Sequence, residues 1–500
     1  MSRNRALALY LTILFSPVAF FVYSALAQQC NPCDPNPCDP DAVASVTPSV
    51  GAAVHGCVDG VHAYYTDGGV ANLGTGPLPG YVSEACRNHP MWTQNVYRLY
   101  NDRFEQKGMS WVKHDGWDTE VSRPTNCDVD CPCPPSCTVD SVLDAGCHDT
   151  YGVCLNAPQN RLGPRSQINP ATGLWPVGGW PPAYCSPGGS KIACRLQVKT
   201  ADLVTGGGYF LEQHVISPDE PSSARTNNVS YQTATVGTGT ASLCDPATEC
   251  GAKRPCEGTG CTNLYPLTVE HDIESCEEPA IRAWKANYPS VVETDIQVPP
   301  DPGPPIVNDG LFILAAKATA IGSGWWEYEY ALYNMNSDRS AKAFRVALPT
   351  DMCEEELQDI RNTAGFHDLD YHSGEVWDGT DWMPPTVVSG SITWATTPYI
   401  MNPNANALRW GTLYNFRFQV QRPPANPAAV ATIDLFKPGT PSYVTGVSVA
   451  PGEPPLRACC IGGTCIVTTP CDCYALGGEV YPSNKCLGVN CVFLAPEPGP

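Results

Sequence analysis

Basic residues are scarce in this chain of 500 residues: 29 Lys and Arg stand against 50 Asp and Glu, a formal net charge of −21. Phosphate binding needs clustered cations, so a strongly basic nucleic-acid binder is excluded. Long apolar runs are also lacking except for one near the N-terminus, which excludes a multi-pass membrane protein. The catalytic signatures that spacing can reveal are missing. No Gly-x-Ser-x-Gly, His-Glu-x-x-His or Cys-x-x-Cys-His occurs, so the nucleophile elbow, the commonest zinc peptidase layout and covalent haem find no support. No repeat of fixed 20–50-residue period is present.

Cysteine, proline and glycine are plentiful, at 26, 50 and 44 residues. Hydrophobic residues make up 43% of the chain, enough to bury real cores, so wholesale disorder is not expected. Arg3 and Arg5 precede an apolar run that ends in Ala25-Leu26-Ala27. That is the layout of a secretory signal peptide over residues 1–27, cleaved before Gln28, and it leaves no membrane span in the mature chain. An even number of cysteines in an exported chain reads as disulfides. Their distribution says where staples are needed. Nine lie between Cys30 and Cys137 and seven crowd into Cys459–Cys491, whereas Cys353 stands alone in the middle.

The pattern divides the chain into segments. Residues 28–138 are rich in Cys and Pro. Residues 139–300 are punctuated by Gly and Pro so densely that long helices are excluded and short strands fit between the breaks. A Pro linker follows at 301–305. In 306–450, Trp326, Tyr328, Tyr330 and Leu332 alternate with Glu327, Glu329 and Ala331, while Tyr414, Phe416, Phe418 and Val420 alternate with Asn415, Arg417 and Gln419. Period-2 patterning of this kind marks half-buried strands, and about seven such runs predict an antiparallel β-sandwich that supplies its own core. One helix is expected at Cys353–Asn362, capped by Asp351. Residues 456–491 are too few to bury a core alone and should form a disulfide module. Its seven cysteines are odd in number, so one pairs with Cys353 or elsewhere, or stays free. The fold class is therefore mainly β and multidomain, with a sandwich near 306–450 and disulfide-rich terminal segments.

The densest polar constellation is His367, Asp368, Asp370 and His372, followed by Glu375, Asp378 and Asp381. Imidazole with carboxylate suits zinc, and the four aspartates alone suit calcium. The competing account is a polar loop whose side chains cap turns, and no established zinc spacing is present. Glu327 and Glu329 share one strand face and could be a glycosidase pair, but an exposed strand face is the simpler account. Trp325, Trp326, Trp377, Trp382, Trp394 and Trp410 could offer flat faces to sugar rings. Large aromatics are more often core.

The text Asn402–Phe418, the phrase Leu435–Pro441, Gly163-Pro164-Arg165-Ser166-Gln167-Ile168-Asn169-Pro170 and Gly365-Phe366-His367-Asp368 together resemble a family of uncharacterised exported proteins of planctomycete-type bacteria. The resemblance covers about residues 50–450, and the C-terminal cysteines resemble short Cys-Cys-x-Gly modules of similar proteins. It implies export and a β-rich architecture, and it carries over no catalytic residue. The leading expectation is an exported, non-enzymatic structural or binding protein of the cell envelope or extracellular space, with polysaccharide or other envelope proteins as partners. The alternative is a metal-dependent extracellular hydrolase of polysaccharide that uses calcium or zinc at residues 367–381.

Overall fold

The computed structural model of the chain describes residues 45–47, 52–72, 78–79, 90–114, 142–143, 148–156, 159, 162–171, 173, 190–217, 225–226, 228–248, 250–275, 278–300, 310–361, 365–369, 375–388, 390–425 and 429–491. The expected signal peptide, the cysteine knot at 127–137 and the proline run at 301–305 lie outside them, as do Asp370 and His372. The molecule is mainly β. Among the described residues, no helix is long and apolar enough to cross a membrane.

The sandwich forms from the alternating runs. One sheet has the order Val292–Val298, Gly310–Gly322, Trp325–Asn334, Thr412–Val420, Phe366–His367; the other runs Met383–Val388, Ser391–Ala395, Ala341–Ala347, Ala429–Leu435, Tyr443–Ser448. Every pairing within them is antiparallel. Tyr328, Tyr330, Leu332, Phe416, Phe418 and Val420 point into the space between the two sheets, where Phe344, Ile392, Trp394 and Ile433 meet them. The rings interlock: Tyr328 stacks on Phe418 at 5.0 Å and Phe344 lies 4.8 Å from Phe416. Each such side chain contributes about 1.5–3 kcal/mol through burial. The sandwich takes in a strand from before the proline run, since Val292–Val298 pairs along Gly310–Gly322.

A third layer lies beyond the first sandwich sheet. Its order is Cys256–Glu257, Ala52–Val58, Val61–Thr66, Leu196–Lys199, Arg103–Met109, Met91–Tyr100, Gly208–Ile216, Val229–Val236, Leu267–Ser275, with Val112–His114 and Leu162–Gly163 attached beside Met91–Tyr100. Tyr97, Phe104, Phe210 and Tyr231 from this sheet pack against Leu311, Ile313, Ala315, Ala331, Tyr333 and Leu413 from the sandwich. The middle sheet is therefore buried on both faces. The alternating strands supply the core between the two sandwich sheets, and the face opposite that core is covered as well, by residues from 97–231 and 280–291. Glu329, expected on an exposed strand face, is only 6% exposed.

The terminal module is a small three-stranded sheet, Thr464–Thr468, Arg457–Ile461, Glu479–Tyr481, with a helix Pro470–Ala475. Thr469 caps that helix by accepting from the Asp472 N–H. Disulfides Cys459–Cys473, Cys460–Cys491 and Cys465–Cys486 staple it, and the seventh cysteine, Cys471, bonds to Cys353. The helix near Cys353 is shorter than expected, Glu354–Gln358. Asp351 does not cap it but faces Arg422, which also holds Glu356.

Candidate functional site

The interface between the large sheet and the sandwich holds the strongest concentration of buried charge. It arises because both apposed strand faces carry polar residues at alternate positions: Asn95 and Tyr97 on Met91–Tyr100, Gln106 on Arg103–Met109, Glu212 on Gly208–Ile216, and Tyr333 and Asn415 on the sandwich side. Arg165, from the short turn Arg165–Gln167, enters this seam fully buried. Its Nε donates to the Ser110 carbonyl (2.8 Å), Nη1 to the Gly411 carbonyl (3.0 Å), and Nη2 to the Gln94 carbonyl (3.1 Å) and Asn95 Oδ1 (2.9 Å). The guanidinium lies 5.5 Å from the Trp410 ring, whose Nε1 donates back to the Arg165 carbonyl. Gly411 has φ +70, and a Cβ there would run into the Arg165 guanidinium. Glycine is required at that point for both reasons.

Asn95 links this cation to a carboxylate. Its Nδ2 donates to Glu212 Oε1 (2.9 Å), which also accepts from Tyr97 (2.9 Å) and Tyr333 (2.8 Å), while Oε2 accepts from the Ala280 N–H (2.8 Å). Gln106 donates to Asn95 Oδ1 and to the Gly411 carbonyl, and accepts from the Leu413 N–H. Burial pushes the Glu212 carboxyl up, and the four donors work against that shift. Glu375 accepts from the Arg165 N–H (2.6 Å) and the Ser166 N–H (3.3 Å) and is likewise pushed up by burial.

A second charged group flanks the first. Lys107 Nζ lies 3.0 Å from Glu105 and 3.2 Å from Asp202; Arg103 bridges Glu105 (3.2 Å) and Glu329 (3.0 Å), and Arg417 holds Glu329 from its other side. Cations and carboxylates alternate across the layers, each spent on its neighbour. Networks satisfied in this way fix register and rigidify an interface.

The described members of the expected metal set go to different places. His367 Nε2 faces Lys107 Nζ at 3.1 Å, so its lone pair is already used, and burial followed by Lys107 lowers its pKa to about 4. Asp368 accepts from Asn406 Nδ2 (2.6 Å). Asp378 accepts from the N–H and hydroxyl of Thr380, an Asx-type turn at the surface, and Asp381 is exposed. Among the described residues, these four form no group of three ligand atoms close enough to share an ion; the two such groups are disulfide cysteines, one of them with Glu356. The polar-loop account fits Asp378. His367 belongs to the seam.

Trp382, Trp394 and Trp410 are core residues, and Trp325 is buried over Arg361. The residues that make the seam, Arg165, Glu212, Asn95 and Gln106, were not singled out from sequence. The available signal was polar residues inside strands, such as Thr93-Gln94-Asn95, Glu105-Gln106-Lys107 and Glu212-Gln213-His214. No family model, curated protein or solved structure matches the chain.

Proposed function

We propose that the chain is an exported, non-enzymatic protein that serves as a rigid structural or binding element of the cell envelope or extracellular space. The observation that carries this reading is the set of disulfides closing very long loops. Cys57–Cys261 spans 204 residues, Cys353–Cys471 spans 118 and Cys154–Cys250 spans 96. Such bonds persist in oxidising compartments and are reduced in the cytosol. The signal-like leader and the resemblance to exported proteins point the same way. The non-enzymatic part rests on the seam, where the buried acids and bases already serve as partners to one another and to backbone groups. A polysaccharide or a neighbouring envelope protein is the partner this reading implies.

Cell fractionation with thiol alkylation before and after reduction tests the compartment. The protein should lie outside the cytoplasm with its cysteines blocked until reductant is added; a cytoplasmic pool carrying free thiols would overturn it. Incubating purified protein with polysaccharides, with chelator or with added calcium or zinc, tests the second half. Metal-dependent release of sugar would replace this reading with a hydrolase.

A further inference from the structure

Beside the strand Leu196–Lys199 of the large sheet, three neighbouring side chains each keep a buried polar atom without a hydrogen-bond partner: His55 Nδ1, Tyr65 Oη and Arg195 Nη1. All three residues are at least nine-tenths buried. The rings of His55 and Tyr65 lie 6.0 Å apart, and the Arg195 guanidinium lies 6.0 Å from the centre of the Tyr65 ring. Two of them are placed by backbone irregularities. His55 occupies the register shift between Val54 and Gly56, and Arg195 follows Cys194, a disulfide-bonded residue with φ +67. Bulges and left-handed residues of this kind re-aim side chains.

The electrostatics have one sign. Burial first, then the charges of Arg195, Lys191 and Arg254, all cations, lower the His55 pKa to about 4 and keep the imidazole neutral, against a hydrogen bond with the Lys191 backbone that acts the other way. Lys191 is paired at the surface with Glu257, but among the described residues neither Arg195 nor Arg254 has an acidic partner. Arg254 Nε is a further buried donor with no acceptor. Leaving a buried guanidinium donor unmatched is costly, and clustered orphan donors call for an acceptor. The walls are apolar, with Ala53, Val153 and Cys250 of the Cys154–Cys250 disulfide packed around Tyr65.

We infer that this cluster is a binding site for a small monovalent anion, to which Arg195 Nη1 and the Tyr65 hydroxyl donate within the field of Arg254. The anion neutralises the unpaired guanidinium and locks the bulged strand Ala52–Val58 to the 190–196 turn.

The test uses the full oxidised chain with chloride and bromide. Chloride-35 line broadening should saturate on titration with protein and be displaced by bromide, and crystals soaked in bromide should show an anomalous peak beside Arg195. Arg195→Gln should weaken chloride binding by about tenfold or more, the loss of a charge-assisted hydrogen bond. Tyr65→Phe removes only a hydroxyl with no protein partner, so it keeps the fold and should also weaken binding. A peak that scatters as water, or chloride broadening unchanged in folded Tyr65→Phe and Arg195→Gln, would overturn the assignment.

Discussion

Replacing Arg165 by Met keeps the length of the side chain and removes the fork that joins the layers. Four acceptors then lose a charge-assisted bond at once: the carbonyls of Ser110, Gly411 and Gln94, and Asn95 Oδ1, of which Gly411 and Asn95 keep a bond from Gln106 and Gln94 keeps one from the Ser110 N–H. At about 1 kcal/mol for each of the four lost bonds, below the usual range for bonds to a charged group because three of the acceptors keep another donor, the loss is about 4 kcal/mol. Removing the cation also strips Glu212 and Glu375 of the positive charge that offsets their burial, which acts in the same direction. Against a typical stability of about 5–15 kcal/mol, that is enough to bring the chain near its unfolding threshold. Arg165→Lys retains the charge but cannot reproduce the planar fork, so about half of the loss should remain. Urea unfolding of the full oxidised chain, followed by tryptophan fluorescence, gives both numbers. Hydrogen exchange should rise in Met91–Tyr100 and Thr412–Val420, the strands that flank the guanidinium. If Arg165→Met lies within about 1 kcal/mol of the unmodified chain, the seam does not hold the layers together. If Arg165→Lys restores stability completely, charge alone matters and the fork argument fails.

Burial acts to raise the pKa of Glu105, but Lys107, His367 and Arg103 outweigh it and bring it to about 2. A depressed carboxyl contributes stability that is fully present above its unfolded pKa of about 4.5 and is lost as pH falls through about 2. Glu105→Gln should therefore destabilise the chain at pH 7 and make little difference near pH 2, and an equal effect at both would refute the pairing. Cys353→Ser with Cys471→Ser should free the terminal module for proteolysis between residues 449 and 457 while its own three disulfides keep it folded; undiminished resistance would show that noncovalent packing suffices. A fragment of residues 306–450 should fail to unfold cooperatively, because it exposes Ile313, Ala331, Tyr333 and Leu413 and loses the edge strand Val292–Val298. A sharp melt from a soluble monomer would contradict this. Gly411→Ala should cost stability through both its φ and its collision with Arg165, and an unchanged urea midpoint would count against both.

Several features were determined by the sequence alone, for local reasons. A side-chain period of two is intrinsic to an extended chain, so Tyr328-x-Tyr330-x-Leu332 and Phe416-x-Phe418-x-Val420 had to share a face, and that face is the sandwich core. Counting showed that the seven cysteines of the last module cannot all pair within it, which left one to bond elsewhere or stay free, and the structure pairs Cys471 with Cys353. Tertiary structure decided the fate of the opposite face. Glu329, Asn415 and Arg417 alternate with the core residues and look like positions facing water. They face another sheet: Arg103 meets Glu329, the Phe104 carbonyl accepts from Asn415, and Arg417 pairs with Glu329 beside it, because a charge or amide can leave solvent when a matching group meets it at hydrogen-bond distance. Arg165 makes the same point from a loop. Nothing in Gly163-Pro164-Arg165-Ser166 requires burial; the carbonyls that hold its guanidinium come from residues 55 to 71 positions before it and 246 after it, and only the packed layers bring them together.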